Sequence, residues 1–394
     1  MIYRLFNTIQ EYAWGDKTSI SNLLGVDNPD GRPQAELWMG AHPKSPSVVL
    51  NGAEKIPLDK LISRSPFSTL GEKVKNKYGK LPFLLKILAA GEPLSIQAHP
   101  NLEQAKNGFA RENKQNIPMD AFQRSYKDDN HKPEIICALT PFHAMNGFRP
   151  IAQIISFLEK IKDPFFQKLV SILKSNETAT SLKIFFEEVM RCPENLKPSV
   201  LHQACLTAQE QQDIAFEWVL KLNKQYPRDI GALCPLFLNI ITLKPGEAMF
   251  LEAGRLHSYL NGVGVELMAN SDNVLRGGLT PKFVDVDELL KILRFEVSEL
   301  QILKPLGFLE EKYFLDFVEE FSLSAIELPS NGKYEIEQHN KPSILICISG
   351  NGRFFDSEID LHFEKGQSFF IPASQSSFNA SGSGFFYRAT VANI

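Results

Sequence analysis

From Ile151 to about Arg228 the apolar residues fall every three or four positions. Ile151, Ile154, Ile155, Leu158 and Ile161 make one run, and Ala215, Trp218, Val219 and Leu222 another. That spacing gathers apolar side chains along one stripe of an α-helix. Pro164, Pro193, Pro198 and Pro227 punctuate the block where helices begin and end, since proline lacks the N–H that an interior turn requires. On either side lie short runs rich in Val, Ile, Leu and Phe, such as LFLNIITL (236–243) and SILICIS (343–349), separated by Gly, Pro and Asn. These predict strands, and many short strands at close intervals favour a sandwich or barrel over alternating βαβ units. The expected fold is mainly β, with two jelly-roll halves and a small helical domain inserted in one of them.

An internal repeat sharpens this picture. Gly246, five residues, Glu252-Ala253-Gly254, two residues, His257, three residues and Asn261 resemble the second cupin motif, G-x5-P-x-G-x2-H-x3-N, with Glu252 in the proline position. Gly366, five residues and Pro372 begin the same pattern again, but the histidine position falls on Ser377 and no Asn follows in place, so the later copy is expected to be metal-free. Upstream, Gly91, five residues and Gln97-Ala98-His99 resemble the first cupin motif, G-x5-H-x-H, with Gln97 replacing its first histidine. The 394 residues suffice for several compact units. They are expected to divide into 1–150, the first part of a metal-binding cupin domain; 151–230, the helical insert; 231–300, the completion of that barrel; and 301–394, a metal-free cupin half.

In a strand, residues two apart share a face, so Gln97 and His99 can both point into a barrel while Ala98 points away. Glu134 is the candidate carboxylate, displaced from His99 by a polar stretch from Pro100 to Pro133 that suggests a short helical excursion. His257 completes the set. Two imidazoles, one carboxylate and one amide oxygen suit zinc, one ion per chain, and a single carboxylate leaves the ion its Lewis acidity. A lone histidine in a strand is more often a hydrogen-bonded core or surface residue. It is the shared motif spacing that separates His99 and His257 from His42, His143, His202, His339 and His362, which are read as structural or exposed.

Charge and cysteine usage bound the rest. A formal net charge of −4 with interspersed signs offers no basic field for nucleic acid. Cys137, Cys192, Cys205, Cys234 and Cys347 lack CxxC spacing, which suits core packing in a reducing cytoplasm. No segment approaches the ~20 apolar residues of a membrane helix. A cytoplasmic chain acting on a small molecule is expected, as a monomer or at most a weak dimer.

Longer segments then resemble one family. YKDDNHKPE (126–134) is similar to the Y-x-D-x-N-H-K-P-E signature of type I phosphomannose isomerases, and HSYLNGVGVELMANSDNVLRGGLTPK (257–282) to their second signature. QAELWMGAHPKSPS (34–47) and LPFLLKILAAGEPLSIQAHP (81–100) also resemble family segments. Gly277 and Ser258 stand where the family usually has Ala, at positions not expected to carry chemistry. The resemblance implies interconversion of mannose 6-phosphate and fructose 6-phosphate, a step feeding mannose metabolism and GDP-mannose supply. It also implies zinc at Gln97, His99, Glu134 and His257, and an active-site role for Arg276.

Moving a proton between C2 and C1 of a sugar requires a base, stabilisation of an enediolate and a means of opening the ring. Arg276 can stabilise charge on the oxygens or the phosphate; its structural alternative is a surface ion pair. Lys132, Glu266 and Asp272 are rival bases, and His131 could shuttle protons during ring opening. Lys132 could instead be an ion-pair partner, and Asp272 a turn cap. Lys282, Arg276, Ser95 and Lys86 are phosphate candidates at the cavity mouth, although Lys86 alternates with apolar residues and could be a buried ion-pair member. Trp14 could wall the sugar or pack in the core. The competing functions are a sugar-phosphate sensor without turnover and an iron-dependent cupin oxygenase, the latter opposed by Gln97.

Overall fold

The computed structural model describes residues 1–52, 54–297, 299–307 and 310–392. Antiparallel strands form two β assemblies joined through a common core. In the first, Thr8–Gln10, Glu36–Gly40, Phe83–Ala90, the later part of His257–Ala269, Glu134–Ala138 and Ala248–Leu251 pair in that order. Facing them, Leu238–Leu243, Phe142–Phe148, the early part of His257–Ala269, Ile96–Ala98 and Leu275–Gly278 form a second sheet. The strand His257–Ala269 belongs to both and turns the corner between them.

That corner needs a glycine. Gly262 has φ +125°, and a Cβ there would lie 2.7 Å from the Pro141 carbonyl and 2.8 Å from Phe142 Cα. The pairing register with Phe142–Phe148 also shifts between Tyr259 and Asn261, as a bulge that bends the strand does.

Period-two alternation sorts the larger sheet into two chemically different faces. Leu37, Met39, Leu85, Ile87, Val265 and Leu267 pack into one core with Ile344, Ile346, Phe370 and Tyr387 of the C-terminal assembly. Glu36, Trp38, Lys86, Glu266 and Met268 take the opposite face and line a cavity.

The C-terminal assembly orders Glu311–Tyr313, Ser322–Ile336, Phe378–Thr390, Ser343–Phe355 and Ser368–Ile371, and then continues into Tyr3–Phe6, Val48–Asn51 and Glu54–Pro57. Strand pairing therefore crosses the boundaries drawn from the sequence. Tyr3–Phe6 pairs with Ser368–Ile371 of the C-terminal half and joins Val48–Asn51 and Glu54–Pro57 to the same sheet, although all three fall within 1–150. Such contacts span more than 300 positions and leave no local periodicity to read.

The helical block comprises Ile151–Leu158, Pro164–Asn176, Ala179–Met190, Lys197–Gln209 and Ile214–Gln225. Pro164 opens its helix behind an Asp163 cap, Pro198 lies in a first turn, and Pro227 follows a helix end. Ile154, Leu158, Phe166, Phe186, Trp218 and Leu222 form a core with Phe148 and Phe237 of the barrel end. In LFLNIITL the strand starts at Leu238, because Leu236 ends a 3₁₀ turn spanning Ile230–Leu236 around Pro235. The polar stretch after Pro100 holds the helix Leu102–Lys114, opened by a reciprocal Asn101/Gln104 capping box. No helix of the described residues is long and apolar enough to cross a membrane.

Candidate metal centre and its cavity

His99, Glu134 and His257 are brought together with their ligand atoms all within 4.8 Å of one another. Each is at most 3 % exposed. The His99 Nδ1 lies 2.7 Å from the Asn273 carbonyl and the His257 Nδ1 3.0 Å from the Arg255 carbonyl. A carbonyl can only accept, so each Nδ1 carries the proton and each Nε2 presents a lone pair. Both Nε2 atoms are buried without a hydrogen-bond partner among the described residues, facing Glu134 Oε2 at 3.6 and 3.7 Å. Two orphaned lone pairs converging on a buried carboxylate are what a metal ion satisfies, with the outer nitrogens held by a second layer of acceptors.

The electrostatics agree. Burial lowers the pKa of both imidazoles, that of His257 to about 4, so the rings stay neutral and ligand-competent. Burial alone would raise the Glu134 carboxyl, but Lys132 and the two imidazoles hold it well below the usual range. Lys132 Nζ sits 2.7 Å from Glu134 Oε1. Gln97 is registered opposite His257 on one neighbouring strand and Arg276 on the other.

Glu134 of this centre, with Gln97 and Lys132, lines a cavity of about 730 Å³, and the two imidazoles are not among its lining residues. Across its floor Lys86 lies 2.9 Å from Glu266 and 3.5 Å from Glu36, and Tyr259 donates to Glu266 at 2.9 Å. Lys86 is thus the buried ion-pair member, not a cation at the mouth. The carboxylates outweigh burial and keep it protonated. Burial, with Glu134 and Glu36 nearby, raises the Glu266 carboxyl despite Lys86.

Arg276, Lys282, Ser95 and Trp14 all line the cavity. Arg276 makes no hydrogen bond or ion pair within the described residues, and burial lowers its pKa. Lys282 is lowered by burial and by the nearby charges of Arg276, Lys44 and Lys127, so the rim is a cluster of incompletely solvated cations. Trp14 packs beside Tyr12, with ring centroids 5.8 Å apart.

His131 and Asp272 take opposite positions relative to the cavity. The His131 Nε2 turns to Glu320 of the C-terminal half, 2.7 Å away, and the residue does not line the cavity. The Asp272 carboxylate lines the cavity rather than capping a turn. It meets Lys44 at 2.8 Å and His42 at 3.7 Å, contacts that lower its pKa against the raising effect of burial. The turn itself is tied by Asn273, whose side chain accepts from the Lys127 N–H and donates to the Asp128 and Asn130 carbonyls. Asp128 in turn accepts from the Asp272 N–H and the Ser271 hydroxyl. Two stretches remote in sequence, 127–130 and 270–273, are clasped behind the carbonyl that orients His99.

The residues missed from sequence are Glu36, Trp38, His42, Lys44 and Tyr259. His42, read as structural or exposed, is 4 % exposed in the cavity wall, edge-on to Trp38. The polar–apolar alternation Glu36-Leu37-Trp38-Met39 was the available signal for one cavity-facing side. Neither Gly277 nor Ser258 lines the cavity. The Ser258 hydroxyl donates to the Leu94 carbonyl, and a Cβ on Gly277 would meet its neighbours at an ordinary 3.4 Å.

A buried two-histidine, one-carboxylate centre inside a jelly roll defines a metal-dependent enzyme of the cupin class. Family models match in three segments: phosphomannose isomerase type I, catalytic domain, over 2–151; the helical insertion domain of the same family over 159–238; and mannose-6-phosphate isomerase, cupin domain, over 310–391. Mannose-6-phosphate isomerase of Salmonella typhimurium is 42 % identical over 97 % of both chains, and that of Homo sapiens 36 % identical over 95 % of this chain and 94 % of its own. A zinc-bound holo mannose 6-phosphate isomerase superposes with a TM-score of 0.93 at 41 % identity, covering 99 % of each chain. This chain belongs to the type I phosphomannose isomerase family.

Proposed function

We propose that this protein is a zinc-dependent isomerase that interconverts mannose 6-phosphate and fructose 6-phosphate, with the ion held by His99, Glu134, His257 and Gln97. The observation that carries the reading is the pair of buried Nε2 atoms, without a hydrogen-bond partner among the described residues, that face Glu134, itself in the wall of a cavity lined by Arg276. Zinc bound there supplies Lewis acidity for polarising a carbonyl.

The protein's own groups divide the remaining work. Arg276, Lys282, Lys44 and Lys127 give the mouth its positive field for the phosphate, with Ser95 adding a hydroxyl. Arg276 also offers a fixed fork of donors to negative charge developing on an enediolate, a contribution typically worth ~10²–10³-fold in rate. Among the basic groups, Glu266 is best suited to move the proton between C1 and C2, because it faces the cavity and burial raises its carboxyl above the ordinary value. Lys132 is committed to Glu134, and Lys44 holds Asp272 ionised. Asp272 and His42 lie where a ring hydroxyl could exchange its proton. Trp14, Trp38 and Tyr259 wall the sugar and exclude water. A cytoplasmic setting and supply of mannose metabolism and GDP-mannose precursors follow from this activity. The division of the chain into barrel, insert and metal-free half belongs to the same proposal.

The test is turnover of mannose 6-phosphate by purified protein with chelator and after zinc re-addition, beside His257→Ala and Arg276→Ala. Activity lost on chelation, restored by zinc and absent in His257→Ala is the expected result. No turnover by folded, zinc-loaded wild type would replace the enzyme with a sugar-phosphate sensor.

A further inference from the structure

A second cavity, of about 600 Å³, lies on the other side of Glu92 and Gln225 from the first. Its walls are the helix Ile214–Gln225, the turn Gly91–Pro93, and His143, Leu260 and Asn261 of the barrel. Lys221 and Lys224 of that helix line it, and neither makes an ion pair or hydrogen bond with another of the described residues. Three other lysines of the helical block are neutralised, Lys168 by Glu188, Lys174 by Glu159 and Lys197 by Glu194. Two unpaired cations one helical turn apart, in a concavity with Glu92 as its acidic lining residue, form a local anion trap.

The other groups define what the anion is attached to. Trp218 and Leu260 are buried in the wall and Ile214 is exposed at it, giving an apolar side. The Lys221 ammonium stands 4.6 Å from the Trp218 ring centroid. The imidazole of His143 lies 6.0 Å from that ring, its Nδ1 within 3.0 Å of the Thr242 hydroxyl, and its other nitrogen without a partner among the described residues. The amides of Gln225 and Asn261 add donors and acceptors suited to hydroxyl groups. Asn261 already donates to the Ala90 carbonyl, which leaves its own oxygen to accept.

We propose that this cleft between the helical insert and the barrel is a second ligand site, taking a phosphate monoester carried on a polyol ring, and that its occupancy alters substrate binding in the first cavity. Lys221 and Lys224 hold the phosphate, the Trp218 side receives the ring, and Gln225 and Asn261 read its hydroxyls. The coupling is physical: Glu92 and Gln225 line both cavities. Tyr226, which lines the first, donates its hydroxyl to the carbonyl of Pro93, which lines the second, at 2.9 Å. A ligand that draws the end of the helix toward the barrel therefore moves part of the substrate cavity's wall.

The binding claim stands apart from the proposed isomerase activity; the coupling claim rests on it. Zinc-loaded full-length protein is titrated calorimetrically with two probes, fructose 6-phosphate and adenosine 5′-monophosphate, in wild type and in Lys221→Glu/Lys224→Glu. Both lysines are exposed, so the variant is expected to fold, checked by an unchanged melting temperature. A sugar phosphate as ligand gives two fructose 6-phosphate sites in wild type and one in the variant. A nucleotide gives one adenosine monophosphate site that the variant weakens at least ~10-fold, since each lost charged hydrogen bond is worth ~1.5–3 kcal/mol. Fructose 6-phosphate also competes in the first cavity of both forms, so with that probe the coupling reads as a shift in KM for mannose 6-phosphate that differs in size between wild type and the variant. With adenosine monophosphate it reads as a shift in wild type that the variant loses. The site is overturned if neither probe's binding responds to charge reversal, and the coupling if binding responds but the KM shift does not. Absence of turnover with the second site intact would strike the isomerase reading alone.

Discussion

The two β halves carry the same motif spacing and do opposite things with their interiors. Inside the C-terminal half, Phe354, Phe363, Phe369, Phe378 and Phe386 are all fully buried and stack on one another, with centroids 4.8–5.8 Å apart between Phe354 and four of them. In the metal-binding half, the interior holds Glu36, Lys86, His99, Glu134, His257 and Glu266 around open space. Aromatic interior positions close a jelly roll into a core, and charged ones keep it open. The second choice requires every buried charge to be matched, which the Lys86–Glu266–Tyr259 and Lys132–Glu134 contacts do. Ser377, in place of a ligand histidine, marks the half that was released to packing.

The largest expected effect comes from breaking the match in the open half. Glu134→Gln removes the carboxylate both imidazoles face and strands Lys132. Losing a metal's several kcal/mol of charge stabilisation at 1.36 kcal/mol per tenfold lowers isomerisation at least ~10³-fold. Zinc content measured alongside the rate should fall with it; full zinc occupancy with full activity would remove Glu134 from the ligand set.

In the closed half the same kind of insult should cost stability and leave the chemistry alone. Phe354→Ala empties the centre of the aromatic stack, at ~3–5 kcal/mol for a buried Phe. Urea unfolding should show that loss while the folded enzyme keeps its kcat. A kcat that fell in proportion would mean that the C-terminal interior reaches the active site.

Between these extremes lies the loop clasp of the metal-binding half. Asn273→Ala leaves the Lys127 N–H and the Asp128 carbonyl without their side-chain partner, while the Asn130 carbonyl keeps the Ser271 hydroxyl. Each unsatisfied buried group costs ~1–3 kcal/mol. Because the Asn273 carbonyl also orients His99, zinc affinity in a chelator competition is expected to weaken ~10–100-fold. Lost stability with unchanged zinc affinity would reduce the clasp to plain packing.

The contrast between the halves was partly legible in the residues. Motif spacing singled out His99 and His257 and set Ser377 apart, because ligands on adjacent strands recur at fixed offsets, whereas Glu134 was a candidate displaced from the usual offset. Helical periodicity located the insert. What stayed hidden depends on pairings distant in sequence. His42 has no motif spacing, and Lys86, whose alternation with apolar residues allowed a buried ion pair, finds its partners Glu36 and Glu266 only through strand register. Nothing local tells that Tyr3–Phe6 will pair with Ser368–Ile371, or that His131 will turn from the cavity toward Glu320.

That last contact joins the two halves and carries the smallest effect, one visible in pH. Burial raises the Glu320 carboxyl, but the hydrogen bond and charge of His131 bring it below the ordinary 4.5. A carboxyl whose pKa is lower folded than unfolded contributes stability that is complete above about pH 4.5. The unfolded chain binds the proton first, so the contribution drains away as pH falls through the lower, folded value. Glu320 is only partly shielded from solvent, so the contribution is held to about 1 kcal/mol or less. Glu320→Gln should therefore unfold slightly more easily than wild type at pH 7, and the two curves should converge in acid once pH has fallen below the lowered, folded value. If the gap persists there, the residue acts through packing rather than charge, and the halves are held together by the apolar core around Ile344, Phe370 and Tyr387 without help from this pair.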